Sequence, residues 1–227
     1  LEMSTRLPEW RSQIARDLAG RGLTRDRVLG LALQLLDRGY FRAGGEQSAE
    51  EFEHYGLATL LCKHVTLKKD AVEFDYPAKH GVQRTVEIDD PEVVRAVRSL
   101  MRRTERTERL LVCRSGNSGW VDVRADDLNA RFKEIVGAEF TVKDLRTWHG
   151  TVLAATAFAA AKPPTSKTAI KRETSAVMKE VSGELGNTPA VARASYVDPR
   201  VVTGYENGLT IASATKRAET CLLYTSP

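Results

Sequence analysis

The sequence predicts a mainly α protein with one small antiparallel β-sheet, an α+β fold. Apolar residues recur at intervals of three and four over several long segments, which is typical of helices with one buried face. Between residues 64 and 88 the pattern changes to brief β-prone runs separated by turn residues. The chain has 227 residues, of which 42% are hydrophobic, so it is long enough to bury a core without covalent staples.

The first predicted helix runs from Thr24 to Arg38. Its apolar positions follow the i, i+3, i+4, i+7 rule and are Val28, Leu31, Ala32 and Leu35. Thr24 is suited to cap the start of this helix, and Gly39 stands just past its end.

Three β-prone runs follow, at residues 64–67, 71–76 and 83–88. Lys68, Lys69 and Asp70 separate the first two, and residues 77–81 separate the last two. We therefore expect a three-stranded antiparallel sheet whose second turn carries Lys79.

The rest of the chain is predicted to be largely helical. Asp90-Pro91 opens a helix to about Arg103, since proline is favoured at the first helical position. A short apolar run at 110–113 and a turn at 115–119 come next. The further helices are expected from about residue 126 to 137, from a capping box at 141–144 to about 161, from 166 to 185, and from 188 to near Tyr196.

Composition restricts the functional class only loosely. The net charge of +4 permits a polyanionic partner but does not predict one. Cys62, Cys113 and Cys221 lie too far apart to form a disulfide framework or a C-x-x-C metal pair, which favours a reducing cellular compartment. The sequence shows neither a secretion signal nor a run of about 20 apolar residues. We expect a cytoplasmic, nucleoid-associated protein with no membrane partner.

No cofactor and no metal are predicted. His64 is the kind of residue that binds metals, but no second ligand stands at a suitable spacing from it. The sequence also lacks the G-x-x-x-x-G-K-[ST] phosphate loop.

Four blocks, in matching order, resemble the type IB DNA topoisomerases of bacteria and poxviruses. They are FRAGGE at 41–46 with YGLATL at 55–60, the segment 74–81 around Lys79, KDLRTWHGT at 143–151, and LGNTP at 185–189 followed by RASY at 193–196. The resemblance extends from about residue 5 to about residue 205. It implies the DNA breaking-rejoining catalytic fold that these enzymes share with the tyrosine recombinases.

The resemblance implies that three of these residues act directly on a phosphodiester. Tyr196 matches the nucleophile, which attacks the scissile phosphorus, and Arg42 and Arg146 match two arginines that clamp the phosphate. Negative charge accumulates on the nonbridging oxygens in such a reaction, so cations placed there in advance lower the barrier. Arginine suits this role because its planar guanidinium stays charged and can bind two oxygens at once.

Two further positions are carried over with different roles. Lys79 matches the general acid that protonates the departing 5′ oxygen, although His80 beside it is a rival acid. Asn187 stands where poxvirus members and tyrosine recombinases commonly have histidine. An amide can donate a hydrogen bond to a nonbridging oxygen but cannot carry charge, which restricts Asn187 to stabilising the transition state.

Lys143 and Arg146 form a Lys-x-x-Arg spacing that resembles the topoisomerases, whereas tyrosine recombinases usually have His-x-x-Arg. On a helix, residues three apart project from one face. Lys143 is therefore expected to contact DNA near the scissile phosphate or to assist proton transfer, with an ordinary lysine at a helix start as the alternative.

The implied activity is ATP-independent relaxation of supercoiled duplex DNA by a monomer. One strand is cut through a 3′-phosphotyrosyl intermediate, the duplex rotates, and the strand is religated. The lack of a G-x-x-x-x-G-K-[ST] phosphate loop agrees with the ATP-independent activity that the resemblance implies. Two alternatives remain open from the sequence. One is a tyrosine recombinase or integrase, which needs partner subunits and defined sites, and the other is a non-catalytic DNA-binding module of the same fold.

We expect residues 4–208 to form the catalytic domain and residues 209–227 to form a tail. Leu1-Glu2 before Met3 resembles a cloning scar, and 221–227 resembles neither a helix nor a charged tail, so both are left out of the fold prediction. Full-length relatives carry an N-terminal clamp domain that nothing in this sequence matches.

Overall fold

A computed structural model of the chain describes residues 2–103, 107–116 and 119–215. The chain divides into two compact units, Leu1–Leu145 and Arg146–Pro227. The structure is mostly helical with small antiparallel sheets, which confirms the predicted fold class.

The first unit contains helices that pack around the N-terminal pair. They are α1 (Glu2–Leu18), α2 (Arg25–Gly39), α3 (Glu46–Phe52), α4 (Pro91–Met101) and α5 (Ala125–Val136). Helix α1 packs on α2 and α5, and the Trp10 ring meets the Phe132 ring edge-on with 5.5 Å between centroids. Thr24 caps α2, as predicted, by accepting a hydrogen bond from the Arg27 backbone N–H.

Helix α1 was absent from the sequence prediction, and leaving out Glu2 was wrong, because the helix begins there. The buried residues of α1 are Met3, Leu7, Trp10, Ile14 and Leu18, at spacings of three and four. Pro8 lies inside the helix without ending it.

The predicted three-stranded sheet is confirmed as β1 (Val65–Leu67), β2 (Val72–Pro77) and β3 (Gln83–Ile88), antiparallel and in that order. Alternate residues of β2 are buried, among them Phe74 and Tyr76. The Phe41 ring packs against both, at 5.3 Å and 5.9 Å between centroids. This contact fixes the segment after α2 on the inner face of the sheet.

A second, two-stranded hairpin pairs β4 (Val112–Arg114) with β5 (Trp120–Asp122). The sequence predicted only an apolar run and a turn in this region. Each strand has three residues, which is too short for a two-residue alternation to become visible.

The described part of the second unit consists of helices and the loops that join them, with no strand. Helix α6 (Val142–Ala160) starts in the first unit and continues into the second, where α7 (Lys167–Leu185), α8 (Pro189–Ser195) and α9 (Pro199–Glu206) follow. The rings of Phe158 and Tyr205 stack at 4.5 Å between centroids, and the Tyr205 hydroxyl donates to the Lys162 carbonyl at 3.0 Å.

Most helix starts have the side-chain caps that the sequence predicts. The Thr141 N–H donates to the Asp144 carboxylate at 2.8 Å, and Ser166 and Thr188 accept from the first turns of α7 and α8. Within the described residues, no helix combines the length and the hydropathy needed to span a bilayer.

Candidate active site

Arg42 and Lys79 line one cleft of about 460 Å³ in the first unit. His54, Tyr55 and His80 line it as well, and among the described residues that line it none is acidic. The cleft therefore presents the basic side chains of Arg42 and Lys79 together, an arrangement that suits an anion.

Backbone hydrogen bonds connect the two segments that carry these cations. The Leu57 N–H donates to the Arg42 carbonyl at 2.8 Å, and the Tyr55 N–H donates to the Pro77 carbonyl at 2.8 Å. Residues 55–57 thus tie the segment after α2 to the end of β2, only two residues before Lys79.

Gly56 permits this arrangement because it lies against another backbone segment. A Cβ atom at Gly56 would stand 2.4 Å from the Gly44 Cα and 2.9 Å from the Arg42 carbonyl oxygen. Any larger residue at this position would displace the backbone that carries Arg42.

Lys79 is exposed on a short 3₁₀ turn, Lys79–Gly81, between β2 and β3. The Ala78 N–H donates to the Val82 carbonyl at 2.8 Å and closes the turn. Lys79 makes no hydrogen bond or ion pair to any residue that the structure describes. Its ammonium group therefore keeps all of its donors available to a ligand.

His64 supports the cleft wall from behind. Its ring meets the Tyr55 ring at 4.5 Å between centroids, and its Nδ1 accepts from the Leu61 N–H at 3.2 Å. Burial, together with the nearby charge of Lys63, lowers the pKa of His64 below its usual value of 6.5. His64 is thus a neutral packing residue at neutral pH.

In the second unit, the Arg146 guanidinium lies over the face of the Tyr196 ring, with 5.1 Å from the guanidinium carbon to the ring centroid. Arg146 is only 4% exposed and donates to the Leu185 carbonyl at 2.8 Å. These contacts bring together two of the residues that the sequence assigns to catalysis.

Residues of α6 also hold the backbone of Tyr196. A Cβ atom at Gly150 would stand 2.6 Å from the Tyr196 carbonyl oxygen, so only glycine lets the two segments approach this closely. The Thr151 hydroxyl lies 3.3 Å from the same oxygen and accepts from the Asp198 N–H at 3.1 Å. Neither Gly150 nor Thr151 was predicted to have a role, although both belong to the segment KDLRTWHGT at 143–151.

Asn187 follows Gly186, which ends α7 in the left-handed conformation. Its backbone N–H donates to the Ser182 carbonyl at 2.9 Å. Both polar atoms of its side chain are buried and have no hydrogen-bond partner within the described structure. Leaving a buried amide unpaired costs about 1–3 kcal/mol, which is unusual for a residue with only a structural role.

Lys143 is exposed on the first turn of α6. On the same helix His149 is buried and Trp148 is partly exposed. The predicted residues therefore fall into two groups, Arg42 with Lys79 in the first unit and Arg146 with Tyr196 in the second. No cluster of three or more His, Cys, Asp or Glu suited to a metal ion occurs within the described ranges.

Comparison with solved structures supports the predicted fold. A crystal structure of the XerH site-specific recombinase, bound to a palindromic difH substrate in a post-cleavage complex, aligns with a TM-score of 0.51 at 13% identity. The alignment covers 84% of this chain and 48% of that one. The breaking-rejoining fold expected from the resemblance is thus confirmed.

Two curated relatives are DNA topoisomerases. DNA topoisomerase 1B of Acanthamoeba polyphaga mimivirus is 26% identical over 206 residues, covering 88% of this chain and 61% of the relative. DNA topoisomerase 1 of Schizosaccharomyces pombe is 28% identical over 127 residues, covering 54% of this chain and 16% of the relative. The chain thus spans less than two thirds of the length of either relative.

A family description, the catalytic core of eukaryotic DNA topoisomerase I, matches residues 1–219. This match confirms the resemblance to type IB DNA topoisomerases that the four sequence blocks indicate. The chain belongs to the DNA topoisomerase I catalytic core family.

Proposed function

We propose that this chain cuts and reseals one strand of duplex DNA through a covalent bond at Tyr196, as an ATP-independent type IB topoisomerase. The observation that carries the proposal is the contact between Arg146 and Tyr196, in a chain whose family match extends over residues 1–219. Residues 4–208 are the proposed catalytic domain.

In the cleavage step the Tyr196 Oη attacks the scissile phosphorus. A new phosphorus–oxygen bond forms to the tyrosine while the bond to the 5′ oxygen of the next nucleotide breaks. The tyrosine gives up its proton to solvent, and the departing 5′ oxygen gains one. One phosphodiester replaces another, so the reverse step can reseal the strand without ATP.

Arg146 and Arg42 are proposed to stabilise the charge that accumulates on the nonbridging oxygens. Arg146 is buried, and a cation held away from water interacts more strongly with developing charge than an exposed cation does. Arg42 lines the same cleft as Lys79.

Lys79 is proposed as the general acid. A departing alkoxide is strongly basic, and a positioned proton donor typically accelerates its departure by about 10²- to 10⁴-fold. The exposure of Lys79 and its lack of a partner among the described residues leave it able to donate. His80 is adjacent and lines the same cleft, so it remains a rival donor.

Asn187 is proposed to donate a hydrogen bond from its amide to a nonbridging oxygen. Its unpaired, buried side chain supports this role, because a phosphate oxygen would satisfy the amide N–H. Lys143 is proposed to contact DNA from its exposed position on the first turn of α6.

The second candidate function is that of a tyrosine recombinase, which would use the same nucleophile. The similarity of the fold to that of XerH favours this candidate. It differs in needing a second DNA site and partner subunits. Relaxation of a plasmid that carries no defined site, with a rate proportional to protein concentration, is expected for a monomeric topoisomerase. A requirement for paired sites would favour the recombinase.

The experiment is cleavage of a suicide duplex, in which the short downstream fragment with the free 5′ hydroxyl diffuses away and so leaves the covalent adduct trapped. The wild-type chain should form an adduct that survives denaturation, and Tyr196→Phe should form none. Tyr205→Phe is the matched control, because it removes a phenolic hydroxyl from the same unit. An adduct that persists in Tyr196→Phe would refute the proposal.

A further inference from the structure

A second groove, of about 440 Å³, lies entirely within the second unit. Lys167, Lys171 and Thr174 line it from α7, Arg193 lines it from α8, and Glu206 lines it from α9. Helices α7 and α8 pack against each other, so the groove has a floor made by regular structure. None of these residues has a role in the proposed chemistry.

The groove is basic. Three cationic side chains face one carboxylate in its lining, and none of the three forms a salt bridge with a residue that the structure describes. Lys167, Lys171 and Thr174 are four and three positions apart, which places them along one face of α7. Unpaired cations gathered on one concave surface attract an anionic group.

Thr174 supplies an independent observation. The residue is 4% exposed, and its hydroxyl has no hydrogen-bond partner within the described structure. A threonine inside a helix can donate to the carbonyl three or four residues earlier, and this one does not. A buried hydroxyl that lacks an acceptor, beside three cations, suits a ligand that carries oxygen acceptors.

We propose that this groove binds one backbone phosphate of the DNA, a phosphate other than the scissile one. A phosphodiester offers the required anionic oxygens, and the planar guanidinium of Arg193 can hold two of them. Arg193 stands three residues before Tyr196, about one helical turn, so a strand gripped at Arg193 is anchored beside the nucleophile. The inference rests on the proposed function because it takes DNA as the ligand.

The test measures duplex binding by fluorescence anisotropy over a range of salt concentrations, with every variant made in the uncleaving Tyr196→Phe protein. The double variant Lys171→Gln with Arg193→Gln should reduce the magnitude of the negative slope of log K against log salt by about 0.9, the value for one phosphate contact. Thr174→Val keeps the shape of the side chain and should weaken binding about threefold to tenfold.

Glu206→Gln provides a prediction of opposite sign. Removing the one carboxylate of the groove lining should tighten duplex binding several-fold, because its repulsion of the phosphate is lost. Glu180→Gln is its matched control, since Glu180 is an exposed carboxylate on α7 outside the lining. Lys179→Gln is the corresponding control for the cations and should leave the salt slope unchanged.

Two results would overturn the proposal. Equal losses of slope in Lys179→Gln and in the double variant would mean that only the general charge of α7 matters. A salt slope that is unchanged in the double variant would also overturn the proposal. This holds even if calorimetry shows that the double variant no longer binds inorganic phosphate, because the groove would then be a site for a free anion and not for DNA.

Failure of the proposed function would give a different pattern. The suicide duplex is run separately on protein that keeps Tyr196. If that protein forms no adduct while the double variant still lowers the salt slope, the proposed chemistry is refuted and the groove remains a site for a DNA phosphate. Circular dichroism of each variant confirms that the change in binding does not arise from unfolding.

Discussion

The guanidinium of Arg146, on α6, lies over the ring of Tyr196, the residue that follows α8 in the same unit, with 5.1 Å from the guanidinium carbon to the ring centroid. A cation over an aromatic face is worth about 0.5–2 kcal/mol, depending on its exposure to water. Arg146 also donates to the Leu185 carbonyl, so a fixed partner holds its position. The residue proposed to stabilise the phosphate therefore also orients the proposed nucleophile.

Arg146→Lys should slow cleavage about 10²- to 10³-fold, the range measured when one preorganised donor to a developing oxyanion is lost. Lysine keeps the charge, but it lacks the planar guanidinium that can donate to the Leu185 carbonyl and bind two phosphate oxygens at the same time. Single-turnover cleavage of a suicide duplex measures the effect. Arg172→Lys is the control, because Arg172 is an exposed arginine of α7. Cleavage at the wild-type rate in Arg146→Lys would exclude Arg146 as the residue that stabilises the phosphate charge.

Lys79→Ala should slow cleavage about 10²- to 10⁴-fold on an ordinary phosphodiester. The defect should disappear on a duplex whose scissile 5′ oxygen is replaced by sulfur, because a thiolate departs without being protonated. The ratio of the two single-turnover rates measures the need for an acid. A defect of equal size on both duplexes would assign Lys79 to binding.

His80→Asn separates the rival acid from Lys79. His80 has a backbone φ of 66°, and asparagine tolerates this left-handed conformation better than alanine does. We expect His80→Asn to cleave both duplexes at nearly the wild-type rate. The general acid would be His80 and not Lys79 if His80→Asn cleaved the ordinary duplex slowly and the sulfur-substituted duplex normally, while Lys79→Ala showed no such difference.

Asn187→Leu should separate activity from stability. Leucine is close to asparagine in size and removes two buried polar atoms that have no partner in the described structure. Thermal unfolding should therefore occur at the wild-type temperature or above, while single-turnover cleavage falls about 10²-fold. Asn187→His should retain part of the activity because imidazole can still donate. A less stable but fully active Asn187→Leu protein would mean that the residue is structural.

The stability of the chain should fall in mild acid because of His64. Its pKa in the folded chain lies below the usual 6.5, so the unfolded chain binds a proton first as the pH falls. The contribution of His64 to the free energy of unfolding is thus fully present above pH 6.5. It is lost progressively as the pH falls from 6.5 toward the pKa of His64 in the folded chain. Urea unfolding of wild type and His64→Gln across this range checks it, and the variant should show a weaker dependence on pH.

The fold was predictable from the sequence where local signals are strong. Thr24 marks the start of α2, and the alternation of Val72, Phe74 and Tyr76 marks the central strand. Helix α1 was not predicted, although its buried residues are regularly spaced. It contains Pro8, a residue that disfavours a helix interior, and it begins at Glu2, which was left out of the fold prediction. The three-residue strands of the second hairpin are too short to show a period.

The candidate site was predictable as a set of residues but not as an arrangement. The bond from the Tyr55 N–H to the Pro77 carbonyl, which ties the Arg42 segment to the strand before Lys79, is a long-range contact that no local pattern encodes. The close approach of Gly150 to Tyr196 is another such contact. Both depend on packing between elements that lie far apart in the sequence.

The most direct measurement identifies the residue bonded to DNA in the trapped adduct. Trypsin should release the peptide 194–200, which contains one tyrosine, and mass spectrometry should find the 3′-nucleotide phosphate on Tyr196. A nucleotide carried by any other residue, or no peptide adduct on a duplex that is nonetheless cut, would contradict the account.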